Sequence, residues 1–197
     1  MSFYNPRDYT KDLHKRVDRR PYGGGPGMVL EPESVLRAAE ATIGKKKNVE
    51  VIFFSPSGNK FNQKMARDLA LGNPIPKWGK GLRGRRGDRH IVMIAGHYEG
   101  VDARVRKILK ARNISIGDYV LTGGELPALV VVDAVSRYVP GVLGKNESRE
   151  DERVASSDVY TRPEVLEWKK KKYRVPKVLT TGHHAKIEEW RKGRKKG

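Results

Sequence analysis

Residues 115–144 read SIGDYVLTGGELPALVVVDAVSRYVPGVLG, a run with only four charged side chains in a chain whose formal net charge is +18. Exposing that much apolar surface to water costs about 25 cal/mol per Å². The run must therefore be buried in a core or cradle a ligand. Gly123 and Gly124 precede the apolar stretch and Gly141 and Gly144 follow it, which predicts a glycine-bounded helix over Leu126–Tyr138. A strand leads into it over Ile114–Leu121.

The rest of the chain alternates in the same way. Val49–Phe54 and Ile91–Ala95 are short apolar, β-branched runs of the kind that form strands covered on both faces. Helical spacing marks Glu33–Ile43, Phe61–Leu71 and Val101–Ala111. Strands alternating with helices predict an α/β fold with a parallel sheet and helices on both faces. Ligands in such sheets sit beyond the carboxyl ends of the strands. The turns Ser55–Gly58, Gly96–Gly100 and Leu121–Gly124 all lie at such ends, so one site built from three loops is expected. Residues 1–29 read as an extended loop, Asn73–His90 as a basic Gly/Pro-rich insertion and 145–159 as a charged loop. Val175–Thr180 reads as a last strand and His184–Arg194 as a basic terminal helix. The expected division is a catalytic domain over 1–160, followed by a linker and terminal helix over 161–197.

With 41 Lys and Arg against 23 Asp and Glu in 197 residues, the favoured partner is a polyanion such as nucleic acid. Charge alone leaves open a merely basic or ribosomal-type protein. The absence of cysteine excludes disulfides and thiolate metal sites. None of His14, His90, His97, His183 and His184 has zinc-ligand spacing, so no metal site is assigned and the residues carry no reading on Mg2+. The longest apolar run, Leu126–Val132, is too short to span a bilayer, and no membrane partner is expected. A soluble, cytoplasmic protein is the reading.

Several motifs carry two readings. GKGLRG at Gly79–Gly84 matches the dinucleotide fingerprint, yet no strand precedes it and no apolar helix follows; it reads as a basic loop. YGGGPGM at Tyr22–Met28 is either a plain turn or a functional loop whose bare backbone can approach a ligand. Glu99 is a carboxylate between glycines at a strand end. Asp133 and Arg137 are four apart on one helix, either an ion pair or an arrangement that frees Arg137 to point into the site. Glu147, Glu150, Asp151 and Glu152 are either a solvated face or the source of a general base.

Six ordered blocks carry a family resemblance: RDYTKDLHKRVDRRPYGGGPGM, FSPSG, GHYEGVDARV, the opening run, VYTRPEV and VPKVLTTGHHAKIEEWR. Together they resemble the bacterial tRNA (guanine-N1)-methyltransferases. The resemblance implies a deep trefoil knot, S-adenosylmethionine as methyl donor, tRNA guanine at position 37 as substrate, and a homodimer. It places the donor against Ser55, Pro56, Gly96, Tyr98, Glu99, Ile116, Gly117, Asp118, Tyr119, Val120, Leu121, Gly123, Gly124 and Pro127. Catalysis falls to Arg137, Glu99 and a base at Asp151 or Glu152, where the family's usual Asp-Ser-Phe is replaced by Glu152-Arg153-Val154. It also implies that the strand and helix usual before Asn5 and the helical domain usual after Trp190 are missing. Arg191–Lys196 and Lys77–Arg89 then become candidate RNA contacts. The competing readings are a catalytically impaired knotted RNA-binding protein and a different knotted RNA methyltransferase.

Overall fold

The computed structural model describes residues 1–72, 89–142 and 158–193. The chain divides into two compact units, Met1–Val142 and Leu143–Gly197.

In the first unit, β3 (Val49–Lys60) lies between β4 (His90–Ile94) and β5 (Arg112–Ser115), and both pairings are parallel. Side chains alternate across a strand, so consecutive residues of β3 feed two cores. Ile52 and Ile114 pack with Ala66 and Leu69 of α2 (Gln63–Leu71) and with Val131 and Val135 of α4 (Glu125–Ser136). Val51, Val92 and Ile94 pack with Val35 of α1 (Pro32–Ile43) and Val105 of α3 (Ala103–Ile108). The parallel sheet flanked on both faces is the expected architecture. The helix starts follow local chemistry. Asn62 Oδ1 accepts from the Met65 N–H at 2.9 Å to cap α2, and Asp102 Oδ1 accepts from Arg104 N–H at 2.9 Å to cap α3.

Four expectations change. Residues 1–29 are not simply a loop: they hold a 3-10 turn at Pro6–Asp8 and a short antiparallel pair, β1 (Asp18–Arg19) with β2 (Val29–Leu30). Val17 is 4% exposed and, with Leu30, plugs the core beneath α1 and α3. Ser55–Gly58 does not end β3. The strand bulges there, and Phe54 and Asn59 both face Ile114. A Cβ on Gly58 would lie 2.6 Å from the Ile114 carbonyl carbon, so only glycine fits the return.

β5 stops at Ser115 rather than running to Leu121. The Ser115 hydroxyl accepts from the Gly117 N–H at 3.2 Å and donates to the Gly117 carbonyl at 2.9 Å. That local bonding turns the chain out of the sheet. Val175–Thr180 is no strand either: Pro176 lacks a donor, and a 3-10 helix spans Lys177–Thr180. Thr180 and Thr181 donate back to the carbonyls of Lys177 and Val178, both at 2.9 Å.

The second unit also holds a hairpin with no turn signal in its sequence, β6 (Val165–Trp168) with β7 (Lys171–Arg174), and the helix α5 (His184–Lys192). Among the described residues no helix is long and apolar enough to cross a membrane.

Candidate active site

The three glycine loops meet where the sheet predicts. A cavity of about 340 Å³ opens beyond the carboxyl ends of β4 and β5 and beside the bulge of β3. Ser55, Pro56, Gly96, Tyr98, Glu99, Ile116, Gly117, Tyr119, Val120, Leu121, Gly123, Gly124 and Pro127 line it. Asp118 is the exception among the residues assigned to the donor. Its carboxylate turns outward and pairs with Lys60 Nζ at 2.6 Å, tying the loop after β5 to the end of β3.

Close backbone approach builds the walls. The Gly124 N–H donates to the Gly96 carbonyl at 2.8 Å, and a Cβ on Gly124 would lie 2.6 Å from Ala95 Cα. Only a hydrogen fits between the two loops. A Cβ on Gly117 would meet the Tyr119 ring at 2.2 Å, a clash with an exposed side chain rather than with backbone. Tyr98 adopts a left-handed φ of 59° and Gly100 a φ of 115°, closing a turn through Gly100 N–H to the His97 carbonyl at 3.0 Å.

One pair at this rim was not singled out from the sequence. His97 Nε2 and Glu125 Oε1 lie 2.6 Å apart and join the loop after β4 to the first residue of α4. Both residues sit inside the quoted blocks, but nothing in their spacing announces that they meet. The YGGGPGM loop also arrives here. Glu99 N–H donates to the Met28 carbonyl at 3.0 Å, and a Cβ on Gly27 would fall 2.5 Å from Glu99 Oε1.

The electrostatics are unusual for so basic a chain. Among the described residues, no lysine or arginine lines the cavity, and Glu99 is the carboxylate in its wall. The apolar share comes from Phe53, Phe54, Ile114, Ile116, Val120, Leu121 and Pro127. Such a site suits a ligand with an apolar body and a positive charge, and among the described residues no lysine or arginine offers a counter-ion to a phosphate.

Arg137 is not in that wall. It is the half-buried C-cap of α4, ten residues beyond Pro127, which is about 15 Å along a helix. Asp133 is solvent-exposed, so it needs no buried partner; the backbone bond from Arg137 N–H to the Asp133 carbonyl, 3.3 Å, joins the two residues. Among the described residues no ion pair joins the two side chains, and the ion-pair reading gives way. Glu147, Glu150, Asp151, Glu152 and the stretches 77–88 and 194–196 lie outside the described residues.

Comparisons with known proteins identify the family. A family model described as tRNA (Guanine-1)-methyltransferase TrmD matches residues 1–76 and 80–197. A curated tRNA (guanine-N(1)-)-methyltransferase of Dictyoglomus turgidum is 46% identical over 196 residues, covering 98% of this chain and 71% of that protein. Proteins of the same name are 43% identical in Carboxydothermus hydrogenoformans, with 98% and 69% covered, and in Dehalococcoides mccartyi, with 98% and 71% covered. A match running through all three glycine loops and nearly from end to end makes the chain a member of the tRNA (guanine-N1)-methyltransferase family.

Proposed function

We propose that this chain methylates N1 of the guanine at position 37 of tRNA, drawing the methyl group from S-adenosylmethionine, in the cytoplasm and as a homodimer with a knotted fold. The observation that carries the donor assignment is the cavity whose described wall holds Glu99 and no Lys or Arg. When bound, the donor supplies a methyl group already activated by a sulfonium charge. Ser55–Pro56, Gly96–Glu99, Ile116–Gly117 with Tyr119–Leu121, and Gly123–Gly124 with Pro127 would hold it. Glu99 would answer the positive charge. Gly124 lets two of these loops pack in contact around it, because a Cβ there would collide with Ala95.

What remains for the protein is the guanine. Its N1 carries a proton at neutral pH and is a poor nucleophile until a base removes it. We assign that base to Asp151 or Glu152. The charge left on the ring, including O6, needs a fixed cation, and we assign Arg137. Its place at the far end of α4 from the donor cavity fits a second subsite. α4 also carries Leu126, Leu129 and Val130 exposed to solvent, spaced as one helical stripe. An apolar stripe of this kind, on the helix that ends in Arg137, supports a second copy of the chain against it. The overall excess of cations supports tRNA as the partner.

The test uses labelled donor and a tRNA transcript with guanine at position 37. The parent should label N1 of that guanine. Asp151→Asn combined with Glu152→Gln should abolish turnover, a fall of at least about 100-fold, while donor binding stays at the parent value. Unchanged turnover sinks the base assignment, and a labelled ribose hydroxyl instead of N1 would point to a different knotted RNA methyltransferase.

A further inference from the structure

We infer that the β6–β7 hairpin is an RNA-reading element that stacks unpaired bases on its aromatic face and holds their phosphates with its lysines. The inference rests on the reading of tRNA as substrate, and it names a contact surface beyond the cavity and Arg137. Cross-strand register places the side chains. Leu166 faces Tyr173 and Trp168 faces Lys171. Because side chains alternate, those four share one face of the hairpin. Leu166, Trp168 and Tyr173 are 51%, 63% and 53% exposed, an unusual cost for two aromatics and a leucine on a two-stranded ribbon. The opposite face is occupied by an ion pair, Lys172 Nζ to Glu167 Oε1 at 2.9 Å.

The turn supplies the second observation. Its two central residues, Lys169 and Lys170, have φ of 47° and 62°. A two-residue turn with both φ positive is the type I′ turn, which selects Asn-Gly or Gly-Gly. Lysine is a poor choice for that backbone, since its Cβ crowds the following carbonyl. Two lysines held there against their conformational preference point to a use for their charge. With Lys171, Lys172 and Arg174 they make five cations beside one carboxylate, Glu167.

Chemistry selects the occupant. Exposed aromatics flanked by cations match the face of an unpaired base and the phosphate next to it. Duplex RNA hides its base faces, so the occupant is a loop or other single-stranded stretch. An apolar protein partner would match the rings and leave the strained lysines without a role.

The experiment measures affinity of the full chain for a tRNA transcript between 50 and 200 mM KCl, roughly the span over which phosphate contacts are read from the salt slope. Lys169→Asn with Lys170→Gly gives the turn the residues it prefers. The thermal midpoint should hold or rise, while affinity falls and the salt slope shrinks by about 1.4, two single-strand phosphate contacts. Trp168→Leu with Tyr173→Leu keeps an apolar surface without rings. Affinity should fall about tenfold with the slope unchanged. Donor binding should match the parent in both.

Parent-like tRNA affinity in both variants, from a parent that binds and methylates tRNA, overturns the hairpin assignment alone. Loss of binding to phosphatidylglycerol vesicles with tRNA affinity intact overturns it in favour of a membrane surface. A parent that neither binds nor methylates tRNA takes down the functional reading and this one together.

Discussion

Glu50 and Glu99 belong to the same unit and are held in opposite ways. Glu50, near the start of β3, is 3% exposed and pairs with Arg112 of β5. Its second carboxylate oxygen is buried with no hydrogen-bond partner among the described residues. Glu99 is exposed in the cavity wall, and no cation among the described residues reaches its carboxylate. The first carboxylate holds two strands together and has no room for a ligand. The second is kept open in a wall that holds no lysine or arginine among the described residues. The difference teaches that this chain keeps one negative charge inside its sheet for structure and leaves another open in a cavity wall, where the proposed function gives it a cationic donor.

The largest expected effect comes from breaking the structural member. Arg112→Met leaves a buried carboxylate without its cation and should cost about 3–5 kcal/mol of stability, read from the urea midpoint. Donor affinity of the folded fraction should stay at the parent value. Burial already pushes the Glu50 carboxyl above its ordinary range, partly offset by Arg112 and Arg89. The folded state therefore binds its proton more tightly than the unfolded chain does. That contribution to stability is full at low pH and fades as pH rises through the raised value. Arg112→Met should steepen this fall. Glu50→Gln should remove it from the profile, and an unchanged profile in Glu50→Gln would overturn the assignment.

The same amide substitution at the functional member should separate the two roles. Glu99→Gln is expected to weaken donor binding about tenfold, roughly 1.4 kcal/mol, with the thermal midpoint within the scatter of surface changes. A loss of stability with donor affinity unchanged would make Glu99 another structural carboxylate and erase the comparison. The smallest effect is expected at the exposed tether between Lys60 and Asp118. Lys60→Gln should cost less than about 1 kcal/mol and shift donor affinity only slightly, because both side chains are largely solvated.

Legibility in the sequence followed the range of the interaction. The strands at Val49 and Ile91 and the helices α1, α2 and α4 are written in local periodicity, and their glycine and asparagine boundaries are written in backbone preference. The three loops of the cavity are legible in their glycines, although Ser55–Gly58 is a bulge within β3 and Leu121–Gly124 lies six residues beyond the end of β5. The pairing of Asp118 with Lys60 is not legible because its place in the loop does not say which way its side chain turns. The exposure of Asp133 is not legible because the apolar run of α4 does not say which of its faces meets solvent. The hairpin was missed because its turn is made by lysines, which carry no turn signal.

The sequence by itself determined the α/β architecture, the polyanion-seeking charge, the lack of thiol chemistry and the loops that would meet. These depend on neighbours a few residues apart and on composition. The tertiary structure alone decided that Gly124 sits against Ala95, that Glu50 finds Arg112 across the sheet, that His97 reaches Glu125, and that Trp168 and Tyr173 share an exposed face. Each depends on packing or register between distant segments, and a side chain's neighbours across a fold leave no periodic mark along the chain.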